Sequence, residues 1–562
     1  MRWHGLGGML LVVLVATGGT ATALRAMVPP AAGKLVWSGS VASTPAPATG
    51  GGPATASAKS DPASATAGAS PSDPAASAAV TVTGRPHAHA SPASALATTA
   101  VPPAATQAFT DAADGYAITP PAGWTFDPSL LPDVARWNSP DASLRVYSQP
   151  TTDAATYVDY SNRSIDQQWN GIQLLQSTHS GNTWFRRWER PAMPLLQPDM
   201  RQYAEWDELM ANGRVLTIMV NATGPGFAAA YAAAKSAAGS VRVLSPVGAN
   251  GFAIQHAAAR PAPLLPTAPG VSWGVYEPAL NPEQPSLLPV DQLQQALGTG
   301  LKVVMVYLTI GDPFPAALLQ KAQAQGKVVE LTLQSWAPSG NAGRALPYAN
   351  GTSADGAILQ GLDDQDLRAF AQQAAATGIP FLFRWDNEMN GDWDPWSAFQ
   401  WGKDTDIYVA TYRHVHDIFA AAGATDAAFI WNPNNDDLPD YRWNAAALYY
   451  PGDAYVDWVG LTGYNLGAGQ PGSTWRSFTQ AYAASYARDR ALYPGKPLII
   501  TEFASNDAGG DKAAWIADMF RALPSFPAIR YAVWWDADQG GLHYALSQPA
   551  GALAAMRAGL HP

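Results

Sequence analysis

The chain of 562 residues contains no cysteine, which excludes disulfide bridges, thiolate nucleophiles, cysteine-ligated zinc and a lipidated cysteine. It leaves the compartment open, because an exported protein can do without disulfides. Positive charge is also scarce: 33 Lys and Arg stand against 44 Asp and Glu, a net charge of -11, and the basic residues form no cluster. Such a chain lacks the concentrated basic face that holds nucleic acid. Large apolar side chains are few in residues 29–105, where pieces such as "STPAPATGGGPATASAKSDPASATAGASPSDPAASAA" are built from small and polar residues. Too little surface can be buried there to offset the entropy of ordering, so a disordered linker is expected. What the chain has in plenty is aromatic surface, with 21 Trp and 21 Tyr. That surplus over a core's needs points to a binding cleft.

Organisation follows from shifts of texture. Arg2 and His4 precede "GLGGMLLVVLVATGG", an apolar run of signal-peptide rather than membrane-spanning length, and "ATA" at Ala21–Ala23 offers a small-x-small cleavage site. Residues 1–28 are therefore expected to be a signal peptide or anchor, placing the protein outside the cell, secreted or held on the outer face of the membrane or in the wall. Over residues 106–246, alternating strands broken by Pro, Gly and Asn, with the Ala-rich "GFAAAYAAAKSAAGSVRVL" near the end, predict a small α+β sandwich. The start "YAITPPAGW" and the order of elements resemble the sandwich of the photosystem PsbP protein and related bacterial lipoproteins, which implies an accessory or spacer role. A Pro-rich joint follows at 247–270.

From 271 to 562, short apolar strands alternate with amphipathic helices. Strands are expected at "VSWGVY" (271–276), "KVVMVYL" (302–308), "VVELTL" (328–333), "PFLFRW" (380–385), "AAFIWN" (427–432), "VDWVGL" (456–461), "PLIITE" (497–502) and "RYAVWW" (530–535). Several are apolar on both faces, as parallel strands covered by helices must be. Intervening stretches such as "DQDLRAFAQQAAATG" carry helical periodicity and end in Gly. Eight such units, with no glycine-rich phosphate turn, predict an α/β fold of the (β/α)8 TIM-barrel type.

In such a barrel, residues just past the strand C-termini form the site. Glu388 follows the fourth strand and Glu502 ends the seventh. A carboxylate closing an apolar strand is costly unless a polar cleft receives it. Two carboxylates across a barrel mouth suit glycoside hydrolysis, and a spacing of roughly 5 Å would mean direct attack by one of them and retained configuration. Apolar and amide neighbours are expected to keep Glu388 protonated as the acid, while Glu502, helped by Tyr464 after the sixth strand, serves as nucleophile.

The stretches "FLFRWDNEMNGDWDPW", "TYRHVHDIFAAAGATDAAFIWNPNN", "YYPGDAYVDWVGLTGYN" and "KPLIITEFAS" resemble, in order and spacing, glycoside hydrolase family 26, a family of bacterial β-mannanases and related β-glucanases and β-xylanases. The resemblance covers about residues 270–560. It implies a retaining barrel in which Glu388 is the acid/base, Glu502 the nucleophile and Tyr464 the tyrosine that orients it. Arg384 matches the arginine of the acid/base motif, and Trp393 and Trp396 match its cleft-lining aromatics. One position departs: mannanases of the family usually carry His just before the acid/base, where this chain has Asn387. Asn is what the wider clan uses there to hold the sugar 2-hydroxyl, so substrate choice is open between mannan, glucan and xylan.

Pyranose rings stack their C–H faces on indoles and need amide, Arg and carboxylate partners at their rims. Candidate platforms are Trp336, Trp393, Trp396 and one of Trp534 and Trp535, which alternate faces. Of Asn432, Asn434 and Asn435 after the fifth strand, at most half are expected to meet substrate, with Asn434 a candidate. His414 and His416, two residues apart on a helix, do not share a face and make a poor metal pair. The expected protein is an endo-β-glycosidase acting without cofactor or metal, as a monomer, on a polysaccharide, with β-mannan the leading substrate and β-1,3/1,4-glucan or β-xylan the alternatives. A carbohydrate-binding protein on an inactive barrel is the rival from another class.

Overall fold

Ten short antiparallel strands, then eight parallel ones, organise the chain in the computed structural model, which describes residues 108–166, 170–247, 262–335 and 354–561. The expected signal segment, the linker, part of the joint and Trp336 lie outside the described residues.

Strands β3 (Thr125–Asp127), β4 (Ala135–Ser139), β5 (Ala142–Pro150), β6 (Gln173–Ser180), β7 (Thr183–Glu189), β8 (Gln202–Leu209) and β9 (Arg214–Ala222) form one sheet in the order β3-β4-β5-β9-β8-β7-β6. A smaller sheet joins β1 (Phe109–Asp111), β2 (Tyr116–Ile118) and β10 (Arg242–Val243). The period of two sorts the large sheet's side chains. Leu144, Val146, Ala204, Leu216, Ile218 and Val220 share a core with Phe109, Tyr116 and Ile118 of the small sheet and with helix α2 (Phe227–Ala238). Their neighbours Arg145, Tyr203, Glu205 and Met219 point the other way and are also buried. The second face is covered by helix α1 (Ala154–Asn162) and by the barrel: Arg145 donates to Asp404 at 2.7 Å, Tyr203 OH to the other oxygen of Asp404 at 2.7 Å, and Glu205 pairs with Lys403. The described residues of sheet region and barrel fall in one compact unit.

Strands β11 (Ser272–Tyr276), β12 (Val303–Thr309), β13 (Val328–Gln334), β14 (Phe381–Trp385), β15 (Ala427–Trp431), β16 (Trp458–Thr462), β17 (Leu498–Phe503) and β18 (Ile529–Trp535) close into a parallel barrel in sequence order. Each lies within two residues of its expected span. The outer ring holds α3 (Leu288–Leu297), α4 (Ala316–Ala324), α5 (Ala354–Leu359), α6 (Asp364–Thr377), α7 (Asp406–Ala421), α8 (Phe478–Leu492), α9 (Lys512–Ala522) and α10 (Ala550–Leu560). Between β15 and β16 the crossover is made by two single-turn segments, Arg442–Asn444 and Ala446–Tyr449, instead of a full helix. The end of α6 shows the anticipated stop, with Gly378 at φ 57° in the left-handed region that its missing Cβ permits. The described part of the Pro-rich joint is pinned to the bottom of the barrel, where the carbonyls of Pro263 and Leu264 accept from Trp458 Nε1 and Tyr531 OH.

Candidate active site

The barrel mouth is built from lateral register. Tyr307, Thr332 and Arg384 are successive partners across β12, β13 and β14, so their side chains stand in one inward row. Arg384 is fully buried and uses its whole fork: Nε donates to Thr332 Oγ1 at 2.7 Å, Nη1 to Asn432 Oδ1 at 2.9 Å and to Glu502 Oε1 at 2.8 Å, and Nη2 to Tyr307 OH at 2.8 Å. Its role is to hold Glu502 from below.

Glu502 reaches the mouth because β17 is irregular. Pairing with β16 and β18 shifts between Ile500 and Phe503, and such an extra residue lets two consecutive side chains face the same way. Thr501 and Glu502 accordingly both turn inward, Thr501 Oγ1 donating to Asn432 at 2.9 Å, while Phe503 packs outward on Trp534. Glu502 Oε2 accepts from Tyr464 OH and Tyr307 OH, each at 2.9 Å. Among the described residues, three donors, one of them a guanidinium, thus converge on one carboxylate.

Glu388 is held differently. Beyond β14 the chain turns sharply through Asp386 at φ 38° and Glu388 at φ 57°, a left-handed conformation that costs a β-carbon-bearing residue on the order of 1–3 kcal/mol. Surrounding bonds maintain it: Ser335 N donates to Asp386 Oδ1 at 2.7 Å and Glu388 N to Asn432 O at 2.8 Å. The Glu388 carboxyl is buried and, among the described residues, receives amide donors, Asn434 Nδ2 on Oε1 and a long 3.4 Å contact from Asn387 Nδ2 on Oε2. Burial first, then the negative charges of Glu502 and Asp394, push its pKa well above the ordinary carboxyl range, outweighing Asn434 and Arg384. The two acids are therefore close enough to sense each other, and their environments differ in the sense that separates an acid from a nucleophile.

The remaining expected residues divide. Asn387 lies beside Glu388, its Oδ1 accepting from Gln334 at 3.1 Å. Asn434 is the residue touching Glu388, whereas Asn432 is a buried hub accepting from Arg384, Thr462 and Thr501. Asn435 shapes the turn by donating to Ala481 O. Trp393 is half-buried and folds its indole over Gly391. Trp396 is only 2% exposed, and its Nε1 donates to Asn387 O at 2.7 Å, tying its ring to the loop that bears Glu388. Trp535 stacks on Tyr276 with centroids 3.8 Å apart and lies near Tyr307 and Tyr464, on the inner side. Trp534 faces the helices, against Trp515 of α9, and is corrected from platform to packing residue. His414 pairs with Asp364 and His416 lies against Phe429 and Tyr455, all outside the mouth.

Two residues at the site escaped the sequence reading. Tyr307 is an inward residue of "VVMVYLT" and reads as an ordinary apolar strand position. Glu330 is a fully buried acid in "VVELTL" that lies 3.6 Å from Arg384 Nε, and neither of its oxygens accepts a hydrogen bond among the described residues. Burial pushes its pKa up to about 8 against the pull of Arg384. The cost argument that singled out Glu388 and Glu502 applies to Glu330 equally and could have found it.

Residues 349–499 match the family model described as Glycosyl hydrolase family 26, a stretch that contains Glu388 and Tyr464 and ends before Glu502. Endoglucanase H of Acetivibrio thermocellus is 32% identical over 262 residues, covering 43% of this chain and 28% of that protein. A mannan endo-1,4-beta-mannosidase of Bacillus subtilis is 29% identical over 143 residues, covering 25% of this chain and 34% of that protein. The chain thus spans about a third or less of the length of these curated relatives. A solved modular endo-beta-1,4-mannanase from Cellulomonas fimi superposes with a TM-score of 0.40 at 18% identity, over 52% of this chain and 71% of that one, a likeness too slight to carry weight. Over residues 349–499, including the loop that bears Glu388, the barrel of this chain is thus similar to glycosyl hydrolase family 26.

Proposed function

We propose that the protein is a retaining endo-β-glycosidase that cleaves a β-linked polysaccharide by double displacement, outside the cell and without a cofactor. The carrying observation is the unequal dressing of two neighbouring acids: among the described residues Glu502 takes one guanidinium and two phenol donors, while Glu388 takes amide donors and is pushed toward its neutral form. In the first step Glu388 gives its proton to the glycosidic oxygen as the bond from that oxygen to the anomeric carbon breaks, and Glu502 bonds to that carbon. Oε1 of Glu502 accepts one donor and Oε2 two, so Oε1 keeps a lone pair for the attack. On Glu388, Oε2 has, among the described residues, the long Asn387 contact and is the oxygen that carries the proton. Once Glu502 is esterified its charge is gone, one of the causes raising Glu388 disappears, and Glu388 is readied to take a proton from the attacking water.

β-Mannan is the leading substrate, by the mannosidases among the relatives. A second reading, β-glucan, is favoured by Asn387 beside the acid and by the likeness to an endoglucanase. Digestion of mannan, mixed-linkage glucan and xylan with product analysis separates them. Loss of activity by about a thousandfold or more is expected for Glu502→Ala. If wild type and Glu502→Ala release the same products, or neither releases any while both bind glycan, the barrel is a binding protein and the proposal is wrong.

A further inference from the structure

The loop that carries the acid/base is gripped from outside by the antiparallel sheet region. Tyr160, near the end of α1, donates its phenol to Asp392 Oδ2, immediately before Trp393, and its ring packs on Phe399 at 5.4 Å. Farther along the same loop, Asn170 Nδ2 donates to Gln400 O, and Gly402 N donates to Ser164 O at 3.2 Å. Gly402 sits at φ 64° with Trp188 of β7 so close that a Cβ would lie 2.8 Å from its indole nitrogen. The loop ends in the buried pairs Lys403–Glu205 and Asp404–Arg145. On its inner side the same loop bears Asn387, Glu388 and Trp393.

We infer that the sheet region is a positioning element of the catalytic unit, with Tyr160 holding Asp392 so that Trp393 and the turn bearing Glu388 are set for the sugar chain. A domain serving only as a spacer would have no reason to bury charged partners against this one loop, because each such pair is costly to desolvate unless both members are present and well placed. The contact acts through geometry: a phenol-to-carboxylate bond fixes the backbone one residue before an aromatic that is itself only half-buried. This inference rests on the hydrolase reading for its consequence in turnover, but not for its structural content.

The test uses the full chain carrying Tyr160→Phe, with Asp392→Asn as a milder variant that keeps an acceptor. Hydrogen–deuterium exchange is read over residues 391–397, and KM and kcat are read on a long oligosaccharide. The expected result is faster exchange in 391–397 with α8 to α10 unchanged, a KM raised about five- to tenfold, the size of one ordinary hydrogen bond lost, and kcat within about twofold. Asp392→Asn should shift both in the same direction by less. Unaltered exchange in Tyr160→Phe, or faster exchange across the whole barrel, overturns the inference, since the second result means general unfolding. Absence of β-glycan hydrolysis by the wild-type chain, with the local exchange change still seen in Tyr160→Phe, would refute the hydrolase reading and leave the positioning role standing.

Discussion

Glu388 and Glu502 illustrate how neighbours, more than residue type, assign a chemical role. Both are buried glutamates at strand ends, yet burial and the adjacent negative charge raise Glu388, while Arg384, Tyr307 and Tyr464 converge on Glu502. Removing the charge of Glu502 should therefore lower the pKa of Glu388. In Glu502→Gln, a carbon-13 titration of the Glu388 carboxyl should show a shift toward the ordinary range relative to wild type, and an unmoved titration would mean that burial alone sets it. In the proposed mechanism, protonated Glu388 is the active form for the first step. The basic limb of kcat/KM follows its raised pKa, so activity persists above the ordinary glutamate range and falls as pH rises through that value. Replacing Glu388 by Gln should cost roughly 10²–10⁴-fold with substrates whose leaving group needs a proton, and much less with an activated aryl leaving group.

At the scale of elements, the site depends on how closely β15 and β16 approach. Gly460 on β16 has no Cβ, and one added there would lie 2.7 Å from the Cβ of Asn432, the hub bonded to Arg384, Thr462 and Thr501. Gly460→Ala is expected to displace Asn432 and with it the Arg384 contact to Glu502. The outcome to look for is a fall in kcat of about tenfold or more together with a lower melting temperature, since overpacking of this kind costs typically about 1–3 kcal/mol. Wild-type kcat in a folded Gly460→Ala protein would show that the hub does not transmit to the nucleophile. The irregularity in β17 has the same significance: without it Thr501 and Glu502 would face opposite sides.

For the molecule as a whole, buried acids make stability depend on pH in both directions. Burial pushes Glu330, Asp355 and Asp207 up to about 8, whereas in the unfolded chain they release protons near pH 4. The folded form holds more protons between those values, so stability is fully present below about pH 4 and is lost as pH rises toward 8. Asp406 acts oppositely: although burial would raise it, Arg145 and Arg136 hold it at about 2, and its contribution disappears as pH falls from the ordinary carboxyl range toward that value. Melting temperature should therefore decline from pH 5 to pH 8, and Glu330→Gln should flatten that decline; an equal slope in the variant would show that Glu330 does not titrate in this window. The barrel itself was legible in the linear chain, because each parallel strand is an apolar run bounded by helical periodicity, and an acid closing such a run is conspicuous by its desolvation cost. Tyr307, which of Trp534 and Trp535 turns outward, and the grip of Tyr160 on Asp392 were not legible. Each depends on which strands become lateral neighbours, where a bulge reverses the alternation, or which sheet face meets a distant loop. Local patterning reports the period and burial of an element, and so the sequence by itself determined the eight strands and the two acids. The partners of those acids come from residues some 40 to 200 positions apart, and only closure of the barrel, which brings their side chains within hydrogen-bond range, decided them.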